Sequence, residues 1–160
     1  VKSAIRHVRA HAEELGIDPR QLCVCGWSAG AHLAIAAATI RAYEHPDDDA
    51  RISCRPDTVI MLAPGLDVNT STWFAYVNGT SVSSNTLWPL RYIKKGLPPT
   101  LTIVGTEDGS VDFKQIESFT RKMRRAGNRV ALHVLEGVTH TGILTTDTCR
   151  KIEAFLKKTQ

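Results

Sequence analysis

Gly26-Trp27-Ser28-Ala29-Gly30 decides the fold, because an apolar run, Leu22 to Cys25, precedes it and an alanine-rich helical pattern, Ala31 to Ala42, follows it. This order predicts a strand that turns sharply into a helix and raises the Ser28 hydroxyl at the positive end of that helix, the form of a nucleophile elbow. We expect a side chain in place of either glycine to collide with the adjoining strand or helix. A tight turn with an inert serine would show the same pattern, so evidence for a reactive serine must come from the rest of the chain.

Length and composition indicate a single globular domain, residues 1–160. The chain has 42% hydrophobic and 22% charged residues, which is enough apolar material for one sizeable core. A net charge of +4 is compatible with nucleic-acid binding. However, the basic run Arg121 to Arg125 follows a helical pattern and has no interleaved aromatic residues. We therefore expect no nucleic-acid partner. No apolar run approaches the roughly 18 residues of a membrane span, so we expect no membrane partner either.

The four cysteines do not form a recognisable disulfide or metal pattern. Cys23 and Cys25 alternate within the apolar run, and Cys54 and Cys149 stand alone, without a second cysteine or a histidine at ligand spacing. We predict four buried free thiols, no metal site and no cofactor.

Strand and helix patterns alternate along the rest of the chain. This βα order predicts a parallel sheet with helices on both faces, an α/β fold. The predicted elements besides the elbow are a helix from Lys2 to Leu15 closed by Gly16, strands at Thr58 to Leu62, Leu101 to Val104 and Val130 to Leu135, and helices at Phe113 to Ala126 and Cys149 to Leu156.

The segment from Leu66 to Pro99 has no regular pattern and carries five aromatic residues. A structureless stretch of this length in a small domain is more typical of a functional loop or cap than of a simple connection. The alternative is a small hydrophobic cluster beneath a surface loop. The aromatic residues are Trp73, Phe74, Tyr76, Trp88 and Tyr92.

An elbow serine reacts only where a histidine can take its proton and a carboxylate can orient that histidine. Asp108 follows the predicted strand at 101–104, and His140 follows the strand at 130–135. Because the carboxyl ends of parallel strands share one edge of a sheet, Ser28, Asp108 and His140 should converge there. Two rival acids stand nearby. We favour Asp108 over Glu107 and over Asp112, which begins a helix and is placed to cap it.

The chain resembles the α/β-hydrolase esterases, in particular the hormone-sensitive-lipase-like carboxylesterases and the acetyl and feruloyl esterases of plant polysaccharides. The resemblance covers nearly the whole chain and is carried by Gly26-Trp27-Ser28-Ala29-Gly30-Ala31-His32-Leu33-Ala34, Gly105-Thr106-Glu107-Asp108 and Glu136-Gly137-Val138-Thr139-His140, among other stretches.

The resemblance implies hydrolysis of short-chain, acetyl-type esters through an acyl-enzyme, on a small-molecule or carbohydrate substrate. Ser28 would be the nucleophile, His140 the base and Asp108 its orienting acid. The Ala29 amide would supply an oxyanion donor, and Trp27 would bind substrate. His32, one helical turn after the serine, is expected to pack or to hydrogen-bond rather than to act as a base.

One feature of that family does not occur in this sequence. No His-Gly-Gly-type loop, which would complete the oxyanion hole, precedes the elbow, and the strand from Leu22 to Cys25 would lie at a sheet edge. The sequence therefore looks like the C-terminal part of an α/β-hydrolase fold, or like a chain that forms a homodimer through that edge strand. A catalytically inactive hydrolase-fold interaction module is the alternative function.

Overall fold

Four parallel strands form the central sheet of the computed structural model, which describes residues 1–69, 71–79 and 84–159. They are β1, Cys23–Trp27; β2, Thr58–Leu62; β3, Thr100–Gly105; and β4, Val130–Leu135. The strands lie in the order β1-β2-β3-β4, and every neighbouring pair is parallel. The predicted parallel sheet is confirmed, and all four carboxyl ends lie along one edge.

Five α-helices accompany these strands in the described ranges. They are α1, Lys2–Ala10; α2, Ala29–Thr39; α3, Thr72–Asn78; α4, Phe113–Arg125; and α5, Thr146–Thr159. Two short 3₁₀ helices, Ser84–Leu87 and Pro89–Tyr92, lie between α3 and β3. The segment 66–99, predicted to lack regular structure, thus contains helical turns, and the Ser71 hydroxyl caps α3 by accepting a hydrogen bond from the Phe74 amide.

Helices cover both faces of the sheet, because the side chains of β2 alternate between two apolar clusters. Val59 and Met61 pack in one cluster with α2 and α4, and Ile60 and Leu62 pack in the other with α5. Helix α2 lies close to the sheet, since most of its buried residues are alanines. All five β2 residues are buried, so β2 lies at the centre of the core.

Helix α1 is shorter than the predicted helix, because its regular turns end at Ala10 rather than at Leu15. Hydrogen-bonded turns continue to Gly16, whose φ of 64° ends the segment. The buried Arg6 guanidinium fixes α1 to the loop after α2: it donates to the carboxylates of Asp48, at 2.9 Å, and Glu44.

The prediction of buried thiols is wrong. Cys23, Cys25 and Cys149 are exposed and Cys54 is half-buried, and none of the four forms a disulfide. Cys23 and Cys25 are exposed because β1 is an edge strand and because α5 packs on the neighbouring strands β2 and β3. Local crowding still desolvates the Cys23 sulfur enough to raise its pKa to about 11, with a smaller contribution from Cys25. A thiol with such a pKa is protonated and unreactive at neutral pH.

None of the helices in the described part of the chain is both long and apolar enough to cross a bilayer.

The outer edge of β1 has no strand partner among the described residues. We propose that the 160-residue chain associates through this edge, since unpaired backbone N–H and C=O groups are a template for another strand. Light scattering coupled to size-exclusion chromatography should show a dimer or larger species. Replacing both Cys23 and Cys25 with lysine should yield a monomer, because charges on an edge strand oppose pairing. A monomeric parent chain would refute the proposal.

Candidate active site

The elbow serine has a strained backbone that is held by hydrogen bonds from three directions. Ser28 has φ 54° and ψ −119°, a conformation that non-glycine residues rarely adopt. Its amide donates to the Leu62 carbonyl at the end of β2, at 2.9 Å. Its carbonyl accepts from the amides of Ala31, His32 and Gly65, at 3.1 to 3.2 Å. These bonds offset a backbone strain of about 1–3 kcal/mol.

The two glycines of the motif have different functions. A Cβ at Gly26 would overlap with the carbonyl of Gly30 and lie 2.6 Å from the Ala31 nitrogen, so β1 and the first turn of α2 can meet only if residue 26 is glycine. A Cβ at Gly30 would have no heavy atom within 4 Å beyond its chain neighbours and the nearby backbone of its own helix. The prediction of a collision is therefore correct for Gly26 and wrong for Gly30, whose outer side is open.

The predicted oxyanion donor is the first amide of α2. The N–H of Ala29 donates to no described residue, as is usual for the first turn of a helix. It lies at the positive end of the helix dipole, directly after Ser28. The amide can therefore donate a hydrogen bond to a negatively charged oxygen beside the serine.

Asp108 and His140 form a hydrogen-bonded pair. The carboxylate Oδ2 lies 2.8 Å from His140 Nδ1, and the other oxygen accepts from the amides of Ser110, at 2.9 Å, and Val111, at 3.3 Å. The Asp108 side chain is 1% exposed and the His140 side chain 17%. Because the carboxylate pairs with a protonated Nδ1, Nε2 is left as the basic nitrogen of the ring.

The rival acids lie elsewhere. Asp112 caps α4 as predicted, with its carboxylate accepting from the Lys114 amide at 2.9 Å, and Glu107 is exposed to solvent. Of the three candidates, Asp108 is the acid that contacts His140.

Gly105 allows the loops that carry Asp108 and His140 to meet, and sequence reasoning missed it. A Cβ at Gly105, the last residue of β3, would overlap with the carbonyl of Val138. The two loops are joined next to it: Glu107 donates its amide to Val138 O at 3.1 Å, and Thr106 donates to Leu135 O at 2.9 Å. A glycine that ends a strand just before a candidate acid is the sequence signal that could have found this close approach.

His32 packs and hydrogen-bonds, in agreement with the sequence-based expectation. Its Nδ1 lies 3.2 Å from the carbonyl of Gly65, and its ring lies 5.3 Å from that of Phe74. Burial lowers the pKa of His32, so the neutral ring is favoured and Nδ1–H donates to Gly65. Since the Gly65 amide in turn holds the Ser28 carbonyl, His32 is linked to the elbow through one loop residue.

Trp27 lies on His140. The two ring centroids are 5.0 Å apart, and the indole Nε1–H donates to the carbonyl of His140 at 3.2 Å. The residue directly before Ser28 thus contacts His140, which is paired with Asp108. The Ser28 hydroxyl has no hydrogen-bond partner among the described residues.

An apolar groove of about 820 Å³ begins beside the elbow. Ala29 and His32 stand at its near end, and Phe74 and Val77 of α3 line another wall. Of the aromatic segment considered in the sequence, Phe74 thus faces the groove, whereas Trp88 packs against the core and the side chain of Trp73 lies outside the described residues.

Residues 1–123 match the BD-FAE family. This chain belongs to that family. Among curated relatives, it is 31% identical to an ethyl acetate hydrolase from Pseudomonas putida over 86% of this chain and 48% of the relative. It is 26% identical to a probable isoprenylcysteine alpha-carbonyl methylesterase, ICMEL1, from Arabidopsis thaliana, over 92% of this chain and 36% of the relative.

Solved structures with the same architecture are also esterases. Esterase 2 of Thermogutta terrifontis phosphonylated by sarin matches with a TM-score of 0.84 and 31% identity, over 98% of this chain and 61% of the solved chain. The propionate-bound form of that enzyme matches with a TM-score of 0.80 and 33% identity, over 98% and 60%. The chain has the α/β-hydrolase fold of these esterases, and it spans about half the length or less of the curated relatives named above.

The contrast between Gly26 and Gly30 yields a matched pair of variants. Gly26→Ala should lower the free energy of unfolding by about 3 kcal/mol or more, because the new methyl group meets backbone atoms that cannot move aside. Gly30→Ala should change it by no more than about 1 kcal/mol, since the site is open and alanine favours helix. Urea unfolding followed by circular dichroism measures both. Equal destabilisation by the two variants would contradict the geometry described here.

Proposed function

We propose that this chain carries the catalytic triad of a serine carboxylesterase that hydrolyses short-chain, acetyl-type esters through an acyl-enzyme. The observation that carries the proposal is the Asp108–His140 hydrogen bond, which Trp27 joins to a serine held in a strained elbow. Membership in a family with esterase relatives supports the reaction class. A serine, a histidine and a buried acid in this order are typical of the fold.

The residues act in two half-reactions. Ser28 Oγ attacks the ester carbonyl while His140 Nε2 takes the serine proton, and the Ala29 amide stabilises the oxyanion. His140 then gives that proton to the departing alkoxide, which leaves as the alcohol. In the second half-reaction His140 takes a proton from water, the hydroxide oxygen attacks the acyl carbonyl, and Ser28 leaves with the proton returned. Asp108 stays ionised and stabilises the imidazolium in both.

The relatives support a short acyl group. One is named for the hydrolysis of ethyl acetate, and structures of the Thermogutta esterase contain bound propionate or butyrate. The groove beside Ala29 is larger than an acetyl group needs, so we assign the alcohol part of the ester to it. The proposed substrates are small-molecule esters and carbohydrate esters, such as acetylated plant polysaccharides.

Labelling with a fluorophosphonate tests the nucleophile, because such probes phosphonylate an activated serine. We expect mass mapping to place the adduct on Ser28. Ser28→Ala should abolish labelling and lower turnover of p-nitrophenyl acetate by several powers of ten, since triad members act as a unit. Circular dichroism of the variant controls for folding.

A parent chain that neither turns over the ester nor takes up the probe would refute the esterase proposal and favour the inactive interaction module. A variant that keeps activity within tenfold of the parent would show that another residue is the nucleophile.

The acid can be tested with two chemically identical substitutions. Asp108→Asn should lower turnover by about 10³-fold or more, because the amide favours the wrong tautomer of His140. Asp112→Asn should have little effect on turnover, since Asp112 only caps α4 and asparagine is an equally good cap. A larger loss in the second variant would show that Asp112 is the acid.

Acyl selectivity follows from the proposed short acyl site. In a series of p-nitrophenyl esters from acetate to palmitate, kcat/KM should be highest at two to four carbons. A preference for about ten carbons or more would instead indicate a lipase, whose acyl pocket gains affinity with each added methylene.

A further inference from the structure

We propose that Trp27 is a positioning residue for the base: it holds the His140 loop against the elbow and supports the positive charge that His140 acquires during the reaction. This inference rests on the proposed function, and it assigns Trp27 a different role from the substrate binding expected from the sequence. Two separate contacts between Trp27 and His140 carry it, one to the backbone and one to the ring.

The backbone contact fixes the position of the His140 main chain. The indole Nε1–H is the single polar group of the Trp27 side chain, and it is used on the His140 carbonyl rather than left free for a substrate. Asp108 holds the ring of the same histidine through Nδ1. His140 follows β4. Its main chain is held by Trp27 of β1, and its ring is held by Asp108 in the loop after β3.

The ring contact places an aromatic surface beside the imidazole. The planes are tilted by 36° with centroids 5.0 Å apart, a separation at which a cation is attracted to an indole ring. His140 gains a positive charge when it takes the serine proton, so this attraction strengthens during the reaction and favours the transition state. Asp108 is the charged group that contacts the ring, while Glu107 and Glu136, on the two adjoining loops, are exposed to solvent.

The position of Trp27 in the sequence adds a mechanical link. Trp27 is the last residue of β1 and is bonded directly to Ser28, the first residue of the turn. A displacement of the end of β1 therefore moves the nucleophile and the support of the base together. Such a link couples the positions of Ser28 and His140, and misplacement of a catalytic group by about 1 Å can cost about 100-fold in rate.

Two substitutions separate the contacts. Trp27→Phe keeps an aromatic ring and removes the N–H donor, whereas Trp27→Leu removes both. We expect kcat for p-nitrophenyl acetate to fall by roughly tenfold in the first and by roughly 100-fold in the second, with KM within twofold of the parent in both. The rate of fluorophosphonate labelling of Ser28 should fall in the same order. Hydrogen exchange at amides 137–141 should become faster in both variants.

The outcomes that overturn the proposal are distinct from the failure of the esterase proposal. A rise in KM with unchanged kcat would assign Trp27 to substrate binding, and unchanged kcat with unchanged exchange at 137–141 would leave it no positioning function. Should the parent chain neither turn over nor label, the esterase proposal fails, and hydrogen exchange alone then decides whether Trp27 holds the loop. Should Trp27→Leu fail to fold, Trp27→Phe decides through the same measurements.

Discussion

The backbone of Ser28 is the constraint on which the site depends. Together, φ of 54° and ψ of −119° direct its carbonyl toward α2, where amides of the first helical turn and the amide of Gly65 donate to it. The Ser28 amide meanwhile binds the end of β2. The strain is thus balanced by β2 and its following loop, outside the five-residue motif. This explains why a glycine-serine-glycine pattern alone does not specify a reactive serine. Without a neighbouring strand, the backbone of the same motif would relax to an unstrained conformation.

Parallel pairing then determines which other side chains can reach the serine. Since β1 to β4 end along one edge, the residues that follow each strand are the candidates, and Asp108 and His140 could be predicted from the order of elements alone. The central strands and the order of elements could be predicted for the same reason, because β2 is an unbroken apolar run and its neighbours are separated by helical patterns. The local sequence pattern is therefore sufficient to predict the place of any residue whose position is determined by its distance along a strand.

Pattern is not sufficient where two segments distant in sequence meet through particular atoms. The bond between Trp27 and His140 joins residues 113 positions apart, and no periodicity signals it. The same holds for the contact between His32 and Gly65. The exposed cysteines were mispredicted for a related reason: apolar character suggests burial, but burial of β1 depends on what lies beside it in the sheet.

Each of the four strands supplies a different restraint on the candidate site residues. β4 delivers His140, the loop after β3 holds its ring through Asp108, β1 carries Ser28 and holds the His140 main chain through Trp27, and β2 fixes the Ser28 amide. The relative placement of Ser28 and His140 therefore depends on the spacing of the whole sheet rather than on either loop alone. Because parallel strands keep a nearly constant separation of about 4.8 Å, this arrangement gives two loop residues the positional stability of the sheet itself.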